Sequence, residues 1–146
     1  MSEPDRAHLK LTADAAALAL LLGFVASFAD ACALHDDDRA RVLIVVEEMV
    51  TNLVKYGYPA GAPPGLVELT LRLDGDLLDI EIADDGQGFD PFAQAEPLLD
   101  AELDDRPIGG LGLHLVKSLM DRTTYRRDGG RNIASLSRRV ARKEEA

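Results

Sequence analysis

The chain has 146 residues, about one domain's worth and enough for a proper core, with 47% hydrophobic and 29% charged residues as in ordinary globular proteins. Its formal charge of −10 gathers in Asp36 to Asp38, Asp84 with Asp85, and 100–105. A surface of that sign repels phosphate backbones and anionic membranes, which argues against a nucleic-acid or membrane binder.

In chain order, His8 to Leu11 predicts a short first strand, and Thr12 an N-cap for a helix from near Ala13 to about Ala33. The apolar run at 15–32 inside that helix carries Ser27 and Asp30, so it reads as a core helix and not a membrane span. Cys32, the only cysteine, is expected to pack there; one thiol allows neither a disulfide framework nor a thiolate metal site. Nothing resembles a signal segment, so a cytoplasmic protein is expected. Asp36 or Asp37 should cap a second helix running to Tyr56, stopped by Gly57 and Pro59. Leu66 to Leu73 alternates apolar and polar, Asp74-Gly75 signals a hairpin turn, and Leu77 to Ala83 returns with Leu78, Ile80 and Ile82 facing the core. The stretch 86–107 has three prolines and little periodicity. A third helix from about Leu111 to Asp121 precedes two strands, Thr123 to Arg127 and Asn132 to Arg138, turned at Asp128-Gly129-Gly130. The expected fold is α+β: a two-layer sandwich with helices on one face of a mixed, mostly antiparallel sheet. One domain is expected over 6–140, with flexible termini at 1–5 and 141–146.

Three stretches carry chemistry. On the second helix Val42, Val45, Val46, Met49, Val50 and Leu53 form an apolar stripe, which puts Arg41, Glu48, Asn52 and Lys55 together on the far side. Glu48 and Asn52 are stacked one turn apart. An amide oxygen suits one position around Mg²⁺, and a neighbouring carboxylate can orient or deprotonate a nucleophile; a solvated helix face would look the same. Counting by twos from Leu78 lands on Asp84, whose carboxylate extends the buried face and needs donors, such as an adenine amino group; a tight turn also uses aspartate. Gly86 and Gly88 would let backbone lie against a flat base. Gly109, Gly110, Leu111, Gly112 and Leu113 open a helix with free amides, as a phosphate cradle does, without the lysine of a P-loop. Together, roughly 30 residues apart, the three point to Mg-ATP.

These stretches resemble the GHKL (Bergerat-fold, histidine-kinase-like) ATPases, and among them the anti-sigma-factor serine/threonine protein kinases. Glu48 and Asn52 match the Glu-x-x-x-Asn motif, Asp84, Gly86 and Gly88 the Asp-x-Gly-x-Gly motif, and Gly110 and Gly112 the Gly-x-Gly motif. The resemblance implies Glu48 as catalytic base, Asn52 as Mg²⁺ ligand and Asp84 as adenine reader. Lys55, Gly109, Leu111 and Leu113 would line the nucleotide site, and residues 89–108 would form a lid that orders over it. It further implies a homodimer that phosphorylates a STAS-domain anti-anti-sigma partner and sequesters a sigma factor. An ATP-gated binding module without kinase activity is the competing expectation.

Overall fold

The computed structural model describes residues 5–58, 61–93 and 110–143. Five strands, β1 (Asp5–Thr12), β2 (Leu66–Asp74), β3 (Leu77–Asp84), β4 (Arg122–Asp128) and β5 (Arg131–Arg139), form one sheet in the order β1-β2-β3-β5-β4. Each neighbouring pair is antiparallel, so the parallel component allowed for in a mixed sheet is absent among the described residues. Helices α1 (Ala17–Ala31), α2 (Asp36–Gly57) and α3 (Gly110–Leu119) supply the second layer.

Alternation decides which face they cover. Val67, Leu69, Leu71 and Leu73 of β2 and Leu78, Ile80 and Ile82 of β3 are buried in one cluster with the α2 stripe of Val42, Val45, Val46, Met49, Val50 and Leu53. Leu21 and Val25 of α1 and Leu113 and Val116 of α3 complete that core, as does Cys32. Each such side chain, fully buried, contributes about 1.5–3 kcal/mol. The hairpins are set by glycine: Gly75 at φ 62° turns β2 into β3, and Gly129 and Gly130 at φ 59° and 78° turn β4 into β5.

The boundaries depart from expectation where pairing competes with capping. β1 runs through Thr12, which pairs with Leu66, and the Ala13 amide donates to the Gly65 carbonyl at 2.8 Å. Thr12 is thus committed to the sheet and does not cap a helix. Asp14 Oδ1 accepts from the Ala16 amide at 3.0 Å, and α1 begins at Ala17. It ends at Ala31 because Ala33 turns left-handed, at φ 56°, with the Ala33 and Leu34 amides donating back to Asp30 and Ala29. At α2 the cap is His35, whose Nδ1 accepts from the Asp37 amide, while Asp36, Asp37 and Asp38 occupy the first turn. Their charges favour the positive end of the helix.

The C-terminal segment is held as far as Lys143, where a frayed tail was expected from 141. The His35 amide donates to the Ala141 carbonyl at 2.8 Å, the Ala141 amide to Asp38 Oδ2 at 2.8 Å, and the Lys143 amide to the Ala33 carbonyl at 2.7 Å. Buried Asp38 also receives Arg138, which in turn donates to the Leu119 carbonyl ending α3. No helix among the described residues is long and apolar enough to cross a membrane.

Candidate nucleotide site

The end of α2, the end of β3 and the loop that follows it meet at one edge of the sandwich. The loop is fastened to the helix. The Gln87 amide donates to the Gly57 carbonyl at 2.7 Å, and the Gln87 side chain donates to the Tyr56 carbonyl at 2.7 Å. Both carbonyls belong to the last turn of α2. Beyond the loop the Phe89 ring lies against Tyr56, with centroids 5.2 Å apart.

Asn52 departs from expectation in a telling way. Its side chain was placed on the exposed far side of α2, yet it is only 2% exposed. α2 packs against α1 and α3 as well as the sheet, so its buried arc is wider than its apolar stripe. Asn52 Nδ2 donates to the Glu48 carbonyl at 2.7 Å, which fixes the amide's orientation. Its Oδ1 is buried without a hydrogen-bond partner among the described residues. A buried acceptor left unpaired costs about 1–3 kcal/mol, which a ligand can recover. Glu48 is half-buried one turn before it, whereas Lys55 is exposed.

Asp84 is 6% exposed at the end of β3, as the alternation foretold. Its Oδ1 accepts from the Gly86 amide at 2.9 Å and from Asn132 Nδ2 at 3.0 Å. Among the described residues no donor is directed at Oδ2. Burial pushes the Asp84 carboxyl above the ordinary aspartate range, opposed by the bonds from Asn132 and Gly86. Asp85 points the other way, accepting from the Leu66 amide at 2.9 Å and the Tyr58 hydroxyl at 2.8 Å. The Leu66 bond, helped by Tyr58, holds Asp85 below the ordinary range.

Gly86 is required for a reason other than contact with a base. A Cβ there would stand 2.5 Å from the Gly57 carbonyl oxygen and 2.9 Å from Asp84 Oδ1. At Gly88 the nearest atom would be Arg127 Cδ, at an ordinary 3.5 Å. We therefore expect Gly86→Ala to lower stability by about 1–3 kcal/mol and to loosen the loop from α2. Urea unfolding checks this, and an unchanged midpoint would show that the loop yields freely.

Asn132 on β5 escaped the sequence reading. It is 5% exposed, and it joins Asp84, Gln87, Phe89, Tyr125 and Arg127 through its one carboxamide. The sole local signal was a polar residue at a position where β5 faces inward. Met49, Leu53, Ile82 and Ala134 wall a cavity of about 20 Å³ beside Asp84 and Asn132, closed by Phe89, Pro91 and Tyr125. That is room for about one water and too little for a flat base. A larger concavity, about 560 Å³, lies on the opposite, polar face of the sheet around Thr70, Arg72 and Ser135, away from every motif above.

The glycine-rich stretch meets this site through α3. Gly110, Leu111, Gly112 and Leu113 form the first turn of α3, whose four leading amides have no helical acceptor. The Leu113 side chain is buried in the core, so its backbone alone can face a ligand. Gly109 and lid residues 94–108 lie outside the described residues. The described part of the expected lid, Phe89 to Ala93, is tied to α3 by Lys117 Nζ, which donates to the Phe92 carbonyl at 3.1 Å. His114 on α3 is exposed.

Residues 11–138 match the family described as the histidine kinase-like ATPase domain. The chain belongs to that family. Within the family it is similar to the serine-protein kinase RsbW of Staphylococcus epidermidis, 34% identical over 92% of this chain and 87% of the relative. It is 31% identical to the serine/threonine-protein kinase BtrW of Bordetella bronchiseptica, over 93% of this chain and 94% of the relative. Among solved structures, the RsbU and RsbW domains of a Mycobacterium tuberculosis protein superpose on 94% of this chain with a TM-score of 0.68 at 19% identity. This chain spans 32% of that longer one. A histidine kinase domain from Erythrobacter litoralis aligns with a TM-score of 0.53, also at 19% identity. Both structural likenesses bear on the fold, an α+β sandwich common to histidine-kinase-like ATPases.

Proposed function

We propose that this chain is an ATP-dependent serine/threonine protein kinase that transfers the γ-phosphoryl group of Mg-ATP to a STAS-type anti-anti-sigma partner. The observation that carries this reading is Asn52 Oδ1, a buried acceptor with no partner among the described residues, one helical turn from Glu48. A neutral amide oxygen suits a single position on Mg²⁺, the rest being filled by phosphate oxygens and waters. The described residues contain no group of three or more acidic, histidine or cysteine side chains that could cage a cation. Nucleotide and metal would thus bind together, the cation offsetting the charge of ATP in a protein of formal charge −10.

In the proposed reaction Asp84 Oδ2 accepts the adenine amino group, and the free amides at the start of α3 meet the phosphates. Glu48 takes the proton of the partner's hydroxyl as its oxygen bonds to the γ-phosphorus, and the bond to the β-phosphate oxygen breaks with ADP leaving. Bound Mg²⁺ would neutralise charge developing on those phosphates. The kinase names of the relatives support phosphotransfer to a protein. The likeness to anti-sigma kinases supports, as part of this reading, a STAS partner, a sequestered sigma factor, a homodimer and a cytoplasmic setting.

Calorimetry with ATP tests the pairing of metal and nucleotide. Removing divalent cations with EDTA should weaken binding by about tenfold or more, the worth of one charge-assisted contact. Equal affinity with and without Mg²⁺ would exclude Asn52 as a ligand. Transfer of label from ATP to a serine of a STAS-domain protein tests the kinase assignment.

A further inference from the structure

The amide of Asn132 can face only one way. Its Oδ1 accepts from the Tyr125 hydroxyl at 2.6 Å, Arg127 Nη1 at 2.9 Å and the Phe89 amide at 3.3 Å. Its Nδ2 donates to Asp84 Oδ1 at 3.0 Å and the Gln87 carbonyl at 2.8 Å. Reversed, the NH₂ group would confront two obligatory donors, Arg127 Nη1 and the Phe89 amide, with only the Tyr125 hydroxyl able to turn and accept, and an oxygen would face the Asp84 carboxylate. That oxygen would favour a proton on Asp84 and turn it from acceptor into donor. Two residues of the edge strand β4, Tyr125 and Arg127, thus supply two of the three hydrogen bonds that hold the Asn132 oxygen away from Asp84.

We infer that Arg127 and Tyr125 are positioning residues for base selection: acting through Asn132, they hold Asp84 as an acceptor and so select a base that presents an amino group there. The inference rests on the reading of Asp84 given above. Arg127 does more than orient the amide. Its Nη1 also donates to the Gly86 carbonyl at 3.1 Å and its Nη2 to the Gly130 carbonyl at 3.4 Å, which braces the loop after β3 against the β4–β5 turn.

The charged and titratable groups around Asp84 are few. Asp85 follows it on the chain, the Tyr58 hydroxyl reaches in from beyond α2, and Arg127 comes from β4. Burial raises the Asp84 carboxyl and Asp85 adds to the rise, while Asn132, Gly86 and Arg127 oppose it. Loss of Arg127 removes the nearby positive charge that favours the ionised form.

Binding of Mg-ATP and Mg-GTP is measured by calorimetry from neutral into acidic pH for wild type, Arg127→Ala, Arg127→Lys, Tyr125→Phe and Arg126→Ala. Arg127→Ala should weaken ATP binding about threefold to tenfold with little effect on GTP. The acid limb of ATP binding should move to higher pH. Arg127→Lys should return the acid limb toward wild type without restoring full affinity, because an ammonium lacks the planar fork that spans the Gly86 and Gly130 carbonyls. Tyr125→Phe should narrow the ATP preference without moving the acid limb. Arg126, exposed beside them on β4, serves as the control and should change neither. A purely structural role would weaken ATP and GTP equally and leave the acid limb in place, and that result overturns the inference. Should Arg127→Ala fail to fold, Tyr125→Phe carries the same selectivity test, since it deletes one hydroxyl. A wild type that binds ATP no better than GTP would defeat the reading of Asp84 itself. Wild-type selectivity retained in both variants defeats the positioning role alone.

Discussion

Glu48→Gln is expected to lower phosphoryl transfer to the partner protein by about 10²–10⁴, the usual worth of a positioned general base. Mg-ATP binding should persist. The contact that Glu48 makes with the rest of the site is through its backbone carbonyl, which holds Asn52 Nδ2 at 2.7 Å and is unchanged by the substitution. Asp84 and the first turn of α3 are likewise untouched. The half-buried position of Glu48 accepts an isosteric amide without loss of packing. The variant should then hold its partner without turning it over. Single-turnover transfer of labelled phosphate, measured beside ATP affinity for both proteins, checks this. Wild-type transfer rates in the variant would exclude the base role, whereas no transfer by either protein would favour an ATP-gated clamp that binds its partner without phosphorylating it.

Asp84→Asn is expected to weaken ATP binding about tenfold to 100-fold, the cost of losing a charge-assisted hydrogen bond and leaving its partner unpaired. The hydrogen bonds around Asp84 make the result specific. The Gly86 amide and Asn132 Nδ2 both donate to Oδ1, so an asparagine must keep its oxygen there and turn its NH₂ toward the ligand. A donor then faces the adenine amino group. Stability should not fall in step with affinity. Because burial raises the Asp84 carboxyl, the folded protein binds this proton more tightly than the unfolded chain does. The resulting stabilisation is full below the ordinary aspartate pKa and is lost as pH rises through the raised one, so at neutral pH the carboxylate is a burden that asparagine relieves. Weaker ATP binding with an unchanged or raised Tm is the expected signature of a residue kept for function. A lower Tm with unaltered ATP affinity would make Asp84 a structural residue.

Much of the molecule was legible from one dimension, because an element's own period reports its own faces. The alternation of Leu66 to Leu73 and of Leu77 to Ile82 was enough to orient β2 and β3, and the same count by twos carried Asp84 to the buried side. The stripe on α2 named the residues that meet the sheet. Glycines at the two hairpins marked turns that need left-handed backbone. The motifs around Glu48, Asp84 and Gly110 were readable because each lies within a few residues of sequence.

What only the tertiary structure decided is whatever depends on two distant segments at once. Asn52 is buried because neighbouring helices flank α2, a fact absent from the α2 sequence. Thr12 failed to cap α1 because β2 claims its backbone, and His35 became the α2 cap. Gly86 is indispensable through the Gly57 carbonyl, and Asn132 reaches Asp84 across 48 residues. A hydrogen bond of that span leaves no periodic trace in either strand, since each partner alone is simply a polar residue at an inward position. The motifs of single segments thus pointed to where a nucleotide site is expected; the packing of elements against one another decided which of their polar atoms are buried and which of those are paired.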